Sequence, residues 1–341
     1  MRVDASTTEW PTERVDAGAV RAWIGDVLPG RPAVEGPTVT HRSNAWGVTA
    51  RFVAHGDTGA TEVVLKANFL PMSFSGAAVY ELLGRRCPDD VPHLLASVEE
   101  PRRRWALFAA FEGETVGSIG ELGPLVEVAR TIARIQVTVA GSPEMLTSDL
   151  PRSPIERMPD VYDALLANVE RRFVAATGGD AEAFATAHGL PAVALSTLRA
   201  GRPDVARWCE ELAAGPWPPS IHHVDLHPNN AVLRQDGTVL IFDWEEGDLG
   251  FPLFVLDKLL LAAEEWWGVD GASTVRDAYL DALPWGTRGE RERAFAVAQL
   301  LSPFRYAAAD LRFADAMAWD PAGQVARWLG VALRRWAALK T

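Results

Sequence analysis

Apolar residues recur along this chain with two different periods, and the changes of period divide it. Over residues 16–28, Val20, Trp23, Ile24, Val27 and Leu28 fall on one stripe at helical spacing, which predicts an amphipathic helix. From about residue 37 to residue 112, short β-branched and aromatic runs bounded by turn residues take over. Residues 39–53 read as strand, turn, strand, residues 61–67 as a strand, and residues 94–98 and 105–111 as two more joined by a charged tip. Among them, residues 75–84 predict a short helix. Beyond residue 112 helical spacing returns and dominates, over 121–139, 158–174, 291–309 and 323–339. One interruption stands out: two short apolar runs, 231–233 and 238–242, flank Gln235-Asp236-Gly237, a signal for a tight hairpin. The pattern predicts an α+β protein with a small β-rich part, residues 1–112, and a large mostly helical part, residues 113–341.

Composition sets the frame. The 341 residues are 48% hydrophobic and 23% charged, ordinary for a globular protein with an ample core. A net charge of −12 argues against nucleic acid as the main partner, because a polyanion needs a basic footprint. No run approaches the ~20 apolar residues of a membrane span, and residues 1–13 lack an apolar leader core. Two cysteines, Cys87 and Cys209, make no disulfide framework and favour a reducing cytoplasm.

Candidate chemistry is concentrated around the hairpin. His223-Val-Asp225-Leu-His227-Pro-Asn-Asn230 precedes it, and Asp243-Trp244-Glu245 follows it. Because a hairpin returns the chain to its starting end, Asn230 and Asp243 lie close despite the intervening residues. Magnesium-dependent phosphoryl transfer uses such a set: one carboxylate at the acceptor hydroxyl, and an amide oxygen and a second carboxylate on Mg²⁺. Asp225, Asn230 and Asp243 suit those roles in that order. The sequence has no P-loop, so phosphates need another partner. Lys66 ends the 61–67 strand, and it is one of only three lysines, with Lys258 and Lys340, among 33 basic residues. Lysine, a compact point charge, is not interchangeable with arginine.

Residues 221–256 resemble the catalytic core of the aminoglycoside phosphotransferase and choline kinase-like family. Its usual motif is close to H-G-D-L-H-P-G-N followed by I-D-W-E; here Val224 and Asn229 stand at the two glycine positions. The resemblance implies a bilobal protein-kinase-like fold, a nucleotide-binding lobe (1–112) and a catalytic and acceptor-binding lobe (113–341). It also implies transfer from ATP, or GTP, with Mg²⁺ to a small-molecule hydroxyl. It places Lys66 on the α- and β-phosphates, Ser43 with Asn44 and Gly47 in a loop over the phosphates, and backbone groups near residues 110–112 on the adenine. Kinase-like sites pair the strand lysine with a helix glutamate; Glu81 is the one acid between Lys66 and Asp89, although the family spacing puts Gly76 at that position. After the D-W-E segment the family has an aspartate where this chain has Val255, with Asp257 two residues on.

Two other readings compete. His222, His223, Asp225 and His227 could serve as zinc ligands of a metal-dependent hydrolase, although no histidine lies beyond residue 227 to complete the shell. A kinase-fold binding protein without turnover is the other. The segment after Asp243 is rich in acids and aromatics, Glu245, Glu246, Asp248, Glu264, Glu265, Trp266 and Trp267, which raises a cationic acceptor as an expectation.

Overall fold

The computed structural model describes residues 9–57, 59–69, 76–100, 103–175, 178–317 and 319–339. Five antiparallel strands, β1 (Ala33–Ser43), β2 (Gly47–Gly56), β3 (Gly59–Asn68), β4 (Leu94–Glu100) and β5 (Arg103–Ala109), form one sheet in the order β1-β2-β3-β5-β4. Alternation along the strands gives the sheet two different faces. Val48, Ala50 and Phe52 of β2 and Val63, Leu65 and Ala67 of β3 are buried on one face, against Val20, Trp23 and Ile24 of helix α1 (Ala17–Val27). Asp16 caps α1, its carboxylate accepting from the Ala19 amide at 2.6 Å. Val27, expected on the buried stripe, is in the last turn and exposed. Lys66 falls on the opposite face of the sheet, toward the second lobe. Helix α2 (Gly76–Arg86) lies between the lobes and buries Val79, Tyr80, Leu82 and Leu83; Ser75, the expected start of this helix, lies outside the described residues.

The chain leaves the sheet after β5 and joins the second lobe at Glu114–Thr115, which pairs with Ala231–Leu233. This lobe is built on helices Leu122–Val139, Met158–Val169, Asp257–Ala282, Arg288–Met317 and Ala322–Ala338. The expected 158–174 helix ends in a π-helical turn, Glu170–Val174. The hairpin forms where predicted, Ala231–Leu233 pairing with Val239–Ile241. Gly237 takes a φ of +82° in its turn, which only glycine adopts without strain. The architecture is the bilobal α+β fold of protein kinases.

Candidate active site

Asp225 lies in a loop between the Ser220–His222 strand and the hairpin. Its backbone amide donates to His223 Nδ1 at 3.2 Å, while His223 Nε2 bonds the Phe242 carbonyl at 2.9 Å. Burial lowers the pKa of His223 to about 4 and that of His222 to about 3, so both rings are neutral struts. Arg305 bonds His222 Nδ1 at 3.1 Å, and His227 Nδ1 accepts from the Asn229 amide at 3.1 Å. These rings are committed to holding the loop, and among the described residues no three His, Cys, Asp or Glu side chains are grouped to hold a metal ion. The zinc reading fails on that commitment.

Around the Asp225 carboxylate stand Lys258 Nζ at 2.5 Å from Oδ1, His227 Nε2 at 3.4 Å and Asn230 Nδ2 at 3.2 Å from Oδ2. Burial pushes the Asp225 pKa up, but the hydrogen bond to His227 and the Lys258 ammonium outweigh it and hold the carboxyl well below its usual range. Asn230 Nδ2 also donates to the Asp225 carbonyl at 2.9 Å. With its nitrogen spent there, the side-chain oxygen of Asn230 remains as a ligand atom. Val224, at a usual glycine position, packs with Ala309, Phe313 and Trp46 in a small apolar cluster. Asn229 sits in a 3₁₀ turn and not in the left-handed region; its side chain leaves no room for a Cβ on Gly117.

Asp243 is held in a strained backbone conformation, φ +71°. The hydroxyl of Tyr80 on α2 accepts from the Asp243 amide at 3.1 Å and the Trp244 amide at 3.0 Å, which ties the turn to the small lobe. Lys66 Nζ meets Asp243 Oδ1 directly and Glu245 Oε2 at 2.7 Å, and Arg42 Nη1 lies 3.6 Å from Asp243 Oδ2. Burial works against the Lys66 charge, but Asp243 and Glu245 raise its pKa, so it is a firm cation. Burial beside Asp243 pushes Glu245 up to about 7, while Lys66 holds Asp243 down.

The structure therefore brings Lys66, Asp225 and Asp243 to the wall of one cleft, about 140 Å³ in volume, with Asn230 bonded to Asp225 behind it. Glu81 is not brought to Lys66. It is exposed on the outer face of α2, and Glu245 takes the partnership. Ser43 does not line the cleft either; alternation at the end of β1 turns Arg42 inward instead, and Asn44 lines the cleft from the turn beyond the strand. Asn44 Oδ1 accepts from the amides of Trp46 at 2.9 Å and Gly47 at 3.2 Å, fixing the β1–β2 turn. A Cβ on Gly47 would stand 2.4 Å from the Ala67 carbonyl, so this close approach requires glycine. Asp257 is buried, hydrogen-bonded to Ser302 and paired with Arg335 at 3.2 Å, an anchor between helices. Of the acids expected to attract a cation, Glu245 pairs with Lys66 and Asp248 with Arg305 at 2.6 Å, while Glu246 lines the cleft; Trp266 and Trp267 pack edge to face on each other.

Two ligand atoms, Asn230 Oδ1 and the Asp243 carboxylate, suit a cation that completes its shell with phosphate oxygens and water, as Mg²⁺ does. The sequence motifs could not show Lys258 or Tyr80, which reach the site from distant helices.

Comparison with known proteins agrees with this fold. Residues 41–295 match the phosphotransferase enzyme family. The chain is similar in fold to a choline kinase from Cryptosporidium parvum Iowa II, at 12% identity over 95% of this chain and 96% of that one, with a TM-score of 0.63. A Plasmodium vivax ethanolamine kinase gives 10% identity, 94% and 85% coverage and a TM-score of 0.60. A type I macrolide 2'-phosphotransferase gives 16% identity, 92% and 96% coverage and a TM-score of 0.59. No curated protein sequence matches significantly. No helix among the described residues is long and apolar enough to cross a membrane. The chain belongs to the phosphotransferase enzyme family and is a kinase-like enzyme of small-molecule phosphoryl transfer.

Proposed function

We propose that the protein transfers the γ-phosphoryl group of ATP to a hydroxyl of a small molecule, with Mg²⁺ held by Asn230 and Asp243. The observation that carries this reading is the meeting, in one cleft, of a small-lobe lysine with the Asp225 and Asp243 carboxylates of the large lobe. Bound ATP with Mg²⁺ supplies the phosphoryl group and offsets the negative charge that spreads over it. Lys66 exchanges its carboxylate partners for the α- and β-phosphates. Arg42, at the tip of β1, adds positive charge at the cleft mouth. Asp225 orients the acceptor hydroxyl and receives its proton. As that hydroxyl oxygen bonds to phosphorus, the bond from phosphorus to the bridging oxygen breaks and its electron pair leaves on ADP. Lys258 acts as a positioning residue, because it keeps Asp225 ionised and fixes its rotamer.

A screen of purified protein with ATP and Mg²⁺ against hydroxyl-bearing small molecules, read by product mass, tests the reading. A phosphorylated product is expected, and Asp225→Asn should lower its rate by about 10²–10⁴-fold, the usual worth of a positioned base, with nucleotide binding within a few-fold. Transfer at the wild-type rate in that variant, or no product from any acceptor, sinks it.

A further inference from the structure

The end of β1 and the turn beyond it reach across the cleft by two side chains. Arg42 lies 3.6 Å from Asp243, and Trp46 packs on the large lobe. The Trp46 ring centroid stands 5.3 Å from that of Phe313, and the ring shares an apolar cluster with Val224 and Ala309. Ala309 and Phe313, four residues apart, fall on one face of the Arg288–Met317 helix. Val224 directly precedes Asp225, and Trp46 and Asp225 both line the cleft. This cluster lies apart from the main core of either lobe. Its seat depends on Val224, because glycine, the usual residue of the family there, offers the ring no side chain.

The turn that carries Trp46 is rigid. Besides the two bonds to Asn44 Oδ1, the Asn44 amide donates to the Gly47 carbonyl at 3.1 Å and the Phe69 amide to the Trp46 carbonyl at 2.8 Å. Arg14 Nη1 donates to the Ala45 carbonyl at 3.4 Å. Trp46 is therefore fixed to the small lobe and leaves Phe313 only when the turn moves as a body. The cleft beneath it has a volume of about 140 Å³, against roughly 300–1,000 Å³ for small-molecule sites. A nucleotide and an acceptor together do not fit until the turn rises. One ring resting on a few apolar side chains suits a part that opens and closes, since such a contact is non-directional and parts without stranding a hydrogen-bonding group.

We propose that Trp46 is a latch and a positioning residue for the transfer. Docked on Val224, Ala309 and Phe313, it closes the β1–β2 turn over the phosphates and keeps water from the Asp225 side of the cleft; undocked, it admits nucleotide. The inference rests on the kinase reading of the cleft.

Stopped-flow binding and release of a fluorescent ATP analogue with Mg²⁺, on the full chain, reads the latch. Trp46→Ala is expected to speed both binding and release by roughly tenfold, about what loss of one aromatic contact gives, and Trp46→Phe to keep most of the parent's rates. Val224→Gly removes the seat from the opposite side of the cleft and should reproduce the effect of Trp46→Ala. The double variant Trp46→Ala/Val224→Gly should be no faster than either single, because both changes break one contact. Affinity at equilibrium should change less than either rate, which a general loss of folding would not give. Unchanged rates in Trp46→Ala, or effects of the two substitutions that add, overturn the latch and leave the kinase reading in place. A parent chain that binds no nucleotide sinks that reading and the latch with it.

Discussion

At the scale of single residues, the site divides by how far its members lie apart in the chain. Asp225, Asn230 and Asp243 were legible because one loop and one hairpin bring them together, and both are local structures. Lys66 was legible from the strand period and from the rarity of lysine. Lys258 was not, because its position 2.5 Å from Asp225 depends on how a helix 33 residues later packs. Glu81 misled because sequence order gives the nearest acid but not the face of the helix that carries it. The Lys258 contact has a kinetic signature. Its ammonium helps hold Asp225 below the usual carboxylate range, so Asp225 stays ionised to low pH. Removing it in Lys258→Met raises the Asp225 pKa, so the acid limb of the kcat/KM profile should move to higher pH while activity on the plateau falls. Lys258→Arg should restore most of the limb. An unmoved limb in Lys258→Met would mean that His227 and Asn230 alone set the charge of Asp225.

At the scale of elements, the small lobe was legible nearly strand by strand, since period 2 and β-branched residues mark both the strands and the face each presents. The same alternation explains why Arg42, and not Ser43, meets the cleft. The link between α2 and the Asp243 turn was invisible, because it passes through one hydroxyl that accepts two amides. Tyr80 is buried, packed at 4.7 Å centroid separation against Phe108, so the ring itself would remain in a phenylalanine variant. Tyr80→Phe keeps this packing and strands two N–H groups at a backbone already strained at Asp243. Leaving a buried donor unmade costs about 1–3 kcal/mol. Urea denaturation should show a loss of that size, and the Mg²⁺ concentration needed for half-maximal activity should rise, since Asp243 loses its support. A stability loss with an unaltered Mg²⁺ requirement would confine Tyr80 to packing.

At the scale of the whole molecule, the two lobes meet through charge. Glu246 lies in the same segment as Glu245, half-buried near Asp225, and burial together with Asp225 pushes its pKa up to about 8. An acid raised above its unfolded value takes up a proton in the native state that the unfolded chain does not hold. Stability therefore falls as pH rises between about 4.5 and about 8, at up to ~1.4 kcal/mol per pH unit for one such group. Glu246→Gln removes that group's titration, so thermal unfolding of the variant between pH 5.5 and 8 should decline less steeply than that of the parent. Parallel curves for the two proteins would place Glu246 in a solvated setting. The charge pattern along the chain carried no sign of this, because whether an acid is solvated or enclosed depends on which element covers it.

The two lysines within the described residues, Lys66 and Lys258, approach the cleft from opposite lobes, and the third, Lys340, stands next to the chain's last residue. Labelling of Lys66 and Lys258 is thus a report on the centre of the protein. A reagent that acylates amines will tag Lys66 and Lys258 according to how tightly their carboxylates hold them. Peptide mapping after such labelling, with and without nucleotide, gives a footprint of each lobe's contribution that needs no knowledge of the acceptor.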